Sequence, residues 1–229
     1  MENFLPEKSF QDGIVMSVIS QINIVGCGPG SAQYLTQEAI SVVKGSSVIV
    51  GYDRLIDLFP WFTGKRVVLG ADLQSGLDRI DSVRSEGPVS VLVSGDPGFF
   101  SLAKLVSRRF GRENCRVVPG ISSVHVAFAR LCLDWADARI ISAHVSDPDE
   151  AMNQSVARES KIAILLGRSG SLKWVASFLK RFLAPRRIFV FENLTLDSEI
   201  VREVSEAQLP GLQVSSRTVI LLIDGGLLS

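Results

Sequence analysis

The chain has 229 residues, of which 46% are hydrophobic and 21% charged, a composition that can bury a real core and excludes a disordered polymer. Basic and acidic residues balance at 24 each, so no net field recruits nucleic acid or an anionic membrane. Three cysteines, Cys27, Cys115 and Cys132, form no C-x-x-C pair, which argues against a disulfide framework or a zinc knuckle, implies no metal site, and points to a reducing, cytoplasmic setting.

Residues 1–20 carry Glu2, Glu7, Lys8 and Asp12 among short apolar stretches and read as a poorly ordered extension, not a secretory leader. Ile22 to Val25 is a buried strand that delivers its end to Gly26-Cys27-Gly28-Pro29-Gly30. Thr36 caps a helix through Lys44, with Ala39, Ile40 and Val43 on one face and Gly45 as the stop. A strand at 48–50, a helix from Tyr52 to Phe59 ended by Pro60, a strand at 66–69 and a helix from Leu73 to Arg84 follow. Val89 to Val93 is a third apolar strand; it opens into Ser94-Gly95-Asp96-Pro97-Gly98 and an amphipathic helix through Phe110. Arg116 to Val118, then Pro119-Gly120-Ile121-Ser122-Ser123, repeats the design.

An apolar run ending in a glycine or proline turn that opens a helix is the signature of parallel strands with right-handed crossovers. After Trp135 the pattern changes. Strands are expected at 139–142, 161–166, 187–191, 199–204 and 218–223, and helices at 150–158 and 172–182. The last three strands are joined by little helix, which predicts antiparallel pairing. The fold class is therefore α/β, with a mainly parallel N-terminal domain over 21–135, a mixed-sheet domain over 136–229 and a ligand cleft between them. The longest apolar runs are strand-length, well short of the roughly 20 residues of a membrane-spanning helix.

Each loop has a plain structural reading beside a functional one. The glycine loop 26–30 lets backbone approach a ligand closely, or is simply a tight turn; Pro29 removes an amide that a phosphate would use. Asp96 follows a buried strand and could hold a ribose hydroxyl or an ammonium, or bond its own backbone in an Asx turn. Ser122 and Ser123 sit where hydroxyls cap helices. All three loops would share one edge of one sheet, where α/β folds bind ligands.

In this order the three loops resemble the tetrapyrrole (corrin/porphyrin) methylases: Ile24-Val25-Gly26-Cys27-Gly28-Pro29-Gly30 with Leu35-Thr36, then Val93 to Phe100, then Val118 to Ser123. Within that family, 119–124, Leu131 to Ala138, Ser142-Ala143-His144, Phe191-Glu192-Asn193-Leu194 and Ser198-Glu199 look most like the branch that methylates C5 of a precorrin or cobalt-precorrin in cobalamin biosynthesis. The resemblance implies a homodimer of two-domain α/β subunits that binds S-adenosylmethionine between the domains. By motif, Pro29, Ser94, Gly95, Asp96, Phe99, Ser122, Ser123 and Leu166 would contact it. The chain ends at Ser229, so a C15-methylating, decarboxylating activity is expected from a separate protein.

Methyl transfer from a sulfonium to an electron-rich carbon requires positioning and exclusion of water, not a covalent nucleophile. Asp96, His125 and His144 are candidate proton acceptors, although His125 lies at helical spacing with Ile121, Val124 and Phe128 and also reads as a half-buried packing residue. Arg54, Arg139 and Arg168 are candidates for the acidic substrate. Two other readings stay open: another enzyme of this fold, acting on a different ring carbon or on diphthamide, and a nucleotide-binding regulatory domain without catalysis.

Overall fold

The computed structural model describes residues 21–143, 156, 159–167, 171–182 and 185–228. The helix expected at 150–158 falls almost entirely outside them. Five strands, β1 (Ile22–Gly26), β2 (Val48–Gly51), β3 (Lys65–Val68), β4 (Val89–Val93) and β5 (Cys115–Val118), form a wholly parallel sheet in the order β3-β2-β4-β1-β5. Its inner strands are apolar on both faces because both are covered. Ile22, Ile24, Val50 and Val91 face Leu77 and Ile80 of α3 (Leu73–Val83) and Val106 of α4 (Ala103–Phe110). Val25, Ile49, Leu92 and Val118 face Ala39 and Val43 of α1 (Gln37–Lys44) and Leu55 of α2 (Asp53–Ile56). The edge strands β3 and β5 carry exposed Lys65, Arg66 and Arg116, which discourage pairing with another chain.

Helix starts follow the sequence closely. Thr36 Oγ1 accepts from the Ala39 N–H at 3.1 Å, and Asp72 accepts from Gln74 and Ser75. The helix expected over 172–182 ends at Leu179, and a second is cut shorter still. The helix expected over 52–59 stops after one turn at Ile56, and the chain then coils so that Phe59 and Phe62 join Leu55 in the core. The Arg66 guanidinium donates to the carbonyls of Phe59, Pro60 and Phe62 at 2.9–3.2 Å, supplying partners that continued helix would have provided.

The second sheet contains β6 (Arg139–Ala143), β7 (Lys161–Leu166), β8 (Arg186–Glu192), β9 (Ile200–Val204) and β10 (Thr218–Asp224) in the order β6-β7-β10-β8-β9. β6 and β7 are parallel; every other pairing is antiparallel. The last strand is inserted at the centre, which its uninterrupted run Val219 to Ile223 requires, since each of those side chains is buried. One face packs on Leu172, Val175 and Phe178 of α6 (Ser171–Leu179). The other packs on α5 (Ser123–Arg130), whose Val124, Ala127 and Phe128 meet Phe191, Val219 and Leu221. A helix that begins at the end of the first sheet thus belongs to the core of the second. Fully buried Phe128 and Phe191 each contribute about 1.5–3 kcal/mol to that joint.

The connector between the sheets is pinned by Lys161, which is 4% exposed. Its Nζ donates to Asp134 Oδ1 at 2.8 Å and to the Asp134 carbonyl at 3.1 Å, and pairs with the Asp137 carboxylate. Hydrogen bonds from Lys161 hold both aspartates below the ordinary carboxylate range, and those aspartates, Asp134 foremost, raise the lysine. Depressed acids stabilise the fold above their unfolded pKa, near 4, and lose that contribution as pH falls through the folded values. The raised lysine contributes below its unfolded pKa and loses its contribution at higher pH. The Tm difference between wild type and Lys161→Met is therefore largest from about pH 5 to 9 and shrinks on either side, which thermal unfolding at stepped pH will check.

Candidate active site

Because β4, β1 and β5 are neighbours, the loops that leave their carboxyl ends lie side by side. Backbone contact joins them. The Gly95 N–H donates to the Gly28 carbonyl at 2.8 Å, and the Gly28 N–H to the Gly95 carbonyl at 3.2 Å. Both glycines hold positive φ, +72° and +65° for Gly28 and Gly95, a region costly for a side chain. Gly26 and Gly120 are pressed closer still: a Cβ on Gly120 would lie 2.3 Å from the Gly95 oxygen and 2.8 Å from the Gly26 carbonyl carbon.

Asp96 completes the junction. Its Oδ1 accepts from the Gly98 N–H at 2.7 Å, an Asx turn, and its Oδ2 accepts from the Gly120 N–H at 3.0 Å. The carboxylate is a brace between two loops, so Asp96 is corrected from a free proton acceptor to a positioning residue. Ser122 is similarly engaged, its Oγ capping α5 by accepting from the Val124 N–H at 3.2 Å. Burial pushes the Cys27 thiol up to about 12, against weaker opposing effects, which leaves this loop cysteine unreactive.

Opposite the three loops lie parts of the second sheet, and the two enclose a cleft of about 200 Å³. Pro29, Ser94, Gly95, Asp96, Phe99, Ser122 and Ser123 line it on one side and Leu166 on the other, so all the positions expected to hold a donor meet in one place. Arg54 joins them. Arg139 does not: it is exposed at the far end of β6 from Ser142, which does line the cleft. His144 and Arg168 lie outside the described residues. His125 stands behind Phe99, its ring 5.7 Å from Phe99 and 4.4 Å from Trp135 between centroids, and its buried Nε2 has no hydrogen-bond partner among the described residues.

Sequence reasoning missed Phe100, Leu194, Ser216, Arg217, Thr218 and Val219, which also line the cleft. Phe100 is 64% exposed with φ +48°, a non-glycine conformation that persists only where its surroundings enforce it. The loop carrying Leu194 is tied across the cleft. The Ser31 N–H donates to Thr195 Oγ1 at 3.0 Å, the Thr195 N–H to Glu199 Oε2 at 2.6 Å, and Arg130 grips Glu199 with two bonds of 2.6 and 3.1 Å. Arg130 holds Glu199 below the ordinary carboxylate range.

Gly120→Ala forces backbone against backbone and is expected to cost about 1–3 kcal/mol, a Tm loss of roughly 2–12 °C at this chain length. Gly211→Ala, where a Cβ meets nothing within 4 Å, is the control and should leave the Tm nearly unchanged; calorimetric unfolding of both variants reads the difference.

Comparison with known proteins places this geometry. The family model described as Tetrapyrrole (Corrin/Porphyrin) Methylases matches residues 21–210. The cobalt-precorrin-7 C(5)-methyltransferase of Salmonella typhimurium is 30% identical over 179 residues, covering 78% of this chain and 87% of that protein. The crystal structure of the cobalamin biosynthesis precorrin-6Y methylase (cbiE) from Archaeoglobus fulgidus is 25% identical with a TM-score of 0.71, covering 89% of this chain and 97% of the other. The uroporphyrin-III C-methyl transferase from Thermus thermophilus, solved in complex with S-adenyl homocysteine, is 20% identical and shares the fold with a TM-score of 0.73, covering 89% and 92%. With a two-domain α/β architecture and a family match over most of its length, the chain belongs to the tetrapyrrole (corrin/porphyrin) methylases.

Proposed function

We propose that this protein transfers a methyl group from S-adenosylmethionine to C5 of a precorrin or cobalt-precorrin macrocycle, a step of cobalamin biosynthesis. The observation that carries the reading is the single cleft into which three sequence-distant loops and the second sheet converge. Its lining fits the donor. Pro29, Leu165, Leu166 and Val219 offer apolar surface for a flat base, Ser94, Ser123 and Ser142 offer hydroxyls, and the turn at Gly95 admits close approach of backbone.

When bound, the donor supplies an electrophilic methyl on a sulfonium, which needs no covalent catalyst. The chain's own residues position and exclude water. Asp96 fixes the relation of two loops through its two amide bonds. Pro29 and Leu166 give the cleft apolar walls from opposite domains. His125 packs behind Phe99 and against Trp135, outside the cleft lining, so its place is that of a packing residue that supports Phe99 and not of a proton acceptor.

Titration calorimetry with S-adenosylhomocysteine tests the site. Wild type binds it, and Asp96→Ala, which strands two amides, weakens binding about tenfold or more, the effect of roughly 1.4 kcal/mol. Absence of wild-type binding would overturn the reading. Tight binding without methyl transfer to any tetrapyrrole would favour a regulatory domain.

A further inference from the structure

Most arginines at the joins of this fold have carboxylate partners: Arg116 with Glu38, Arg130 with Glu199, Arg187 with Glu203 and Arg202 with Glu192. Two in the cleft do not. Arg54, on the one-turn helix after β2, reaches only Ser94 Oγ, through Nη1 at 3.5 Å. Arg217 stands immediately before β10, in the other domain, and lines the same cleft. Among the described residues no carboxylate pairs with either. Burial foremost, and Arg217 next, lower the affinity of the Arg54 guanidinium for its proton. Both side chains are exposed to solvent where they line the cleft, and two like charges that share one cleft repel each other; an anion seated between them balances the charge, and a planar fork suits a carboxylate.

We propose that Arg54 and Arg217 form one carboxylate-binding site that spans the two domains at the cleft. This inference rests on the methyltransferase reading. The carboxylate has two possible sources in that reaction: the amino-acid end of the methyl donor, or a carboxylate side chain of the macrocycle. Either would draw the two domains onto one ligand, since each domain contributes one guanidinium.

The test uses the full chain with Arg54→Gln, Arg217→Gln, the double variant and Arg108→Gln, an exposed α4 residue outside the cleft, as the charge control. S-adenosylhomocysteine and 5′-methylthioadenosine, which lacks the amino-acid end, are titrated, and steady-state kinetics are run with the macrocycle. If the donor supplies the carboxylate, each single variant weakens S-adenosylhomocysteine at least tenfold and leaves methylthioadenosine unchanged. If the macrocycle supplies it, both nucleoside ligands bind as before and KM for the macrocycle rises at least tenfold with kcat preserved. In either case the double variant loses less than the product of the single losses, because both groups hold one ligand, and Arg54→Lys and Arg217→Lys, which keep the charge, recover part of the loss seen with Gln. Neither single variant should lower the Tm, since each removes one of two like charges at the cleft. Variants within twofold of wild type in every arm, an effect confined to one arginine, or a lowered Tm would overturn the shared site. A wild type that binds neither nucleoside ligand would overturn the methyltransferase reading and this inference together.

Discussion

The close approach of three backbones at Gly26, Gly95 and Gly120 governs the rest of the molecule. Contacts that a Cβ on Gly26 or Gly120 would bring to 2.3–2.9 Å allow the ends of β1, β4 and β5 to meet without a gap, and the Gly28–Gly95 bridge and the Asp96 carboxylate lock them there. A parallel sheet ordinarily leaves a crevice where its connections diverge. Here the crevice has a floor of paired backbone, rigid enough to hold Pro29, Ser94 and Phe99 toward the second sheet.

Rigidity then passes between domains through α5. Its first residues are capped by Ser122 at the cleft, its apolar face is built into the second sheet's core, and its last residue, Arg130, grips Glu199 on the loop that Thr195 joins to Ser31. The cleft is thus bounded by a closed circuit of packing and hydrogen bonds. An enzyme whose chemistry is positioning needs such a frame more than it needs reactive side chains. Asp96 illustrates the point: its plain reading as an Asx turn and its place in the site are the same fact.

Much of this was legible from the residues. The mainly apolar runs 22–25, broken by Asn23, 48–50 and 89–93 announced strands buried on both faces, and the turns that follow them marked the ligand edge, because a parallel strand presents its carboxyl end there. The same rule hid Arg217, Thr218 and Val219. β10 runs antiparallel to β7 and β8, so its beginning, not its end, reaches the cleft, and nothing in Ser215 to Thr218 distinguishes such a start from an ordinary polar turn. The early end of α2 was hidden for a different reason, since it depends on Arg66, which lies 10 residues beyond Ile56 in sequence and reaches back to three carbonyls. Arg139 misled because a cation near a predicted strand end carries no information about which end faces the ligand.

The central claim is that this cleft directs a methyl group to one carbon of a corrin precursor. Incubation with S-adenosylmethionine carrying an isotopically labelled methyl, followed by NMR of the tetrapyrrole product, tests it most directly. The account predicts a single labelled methyl at C5. Label on another ring carbon, or none on the macrocycle while the donor remains bound, would contradict it.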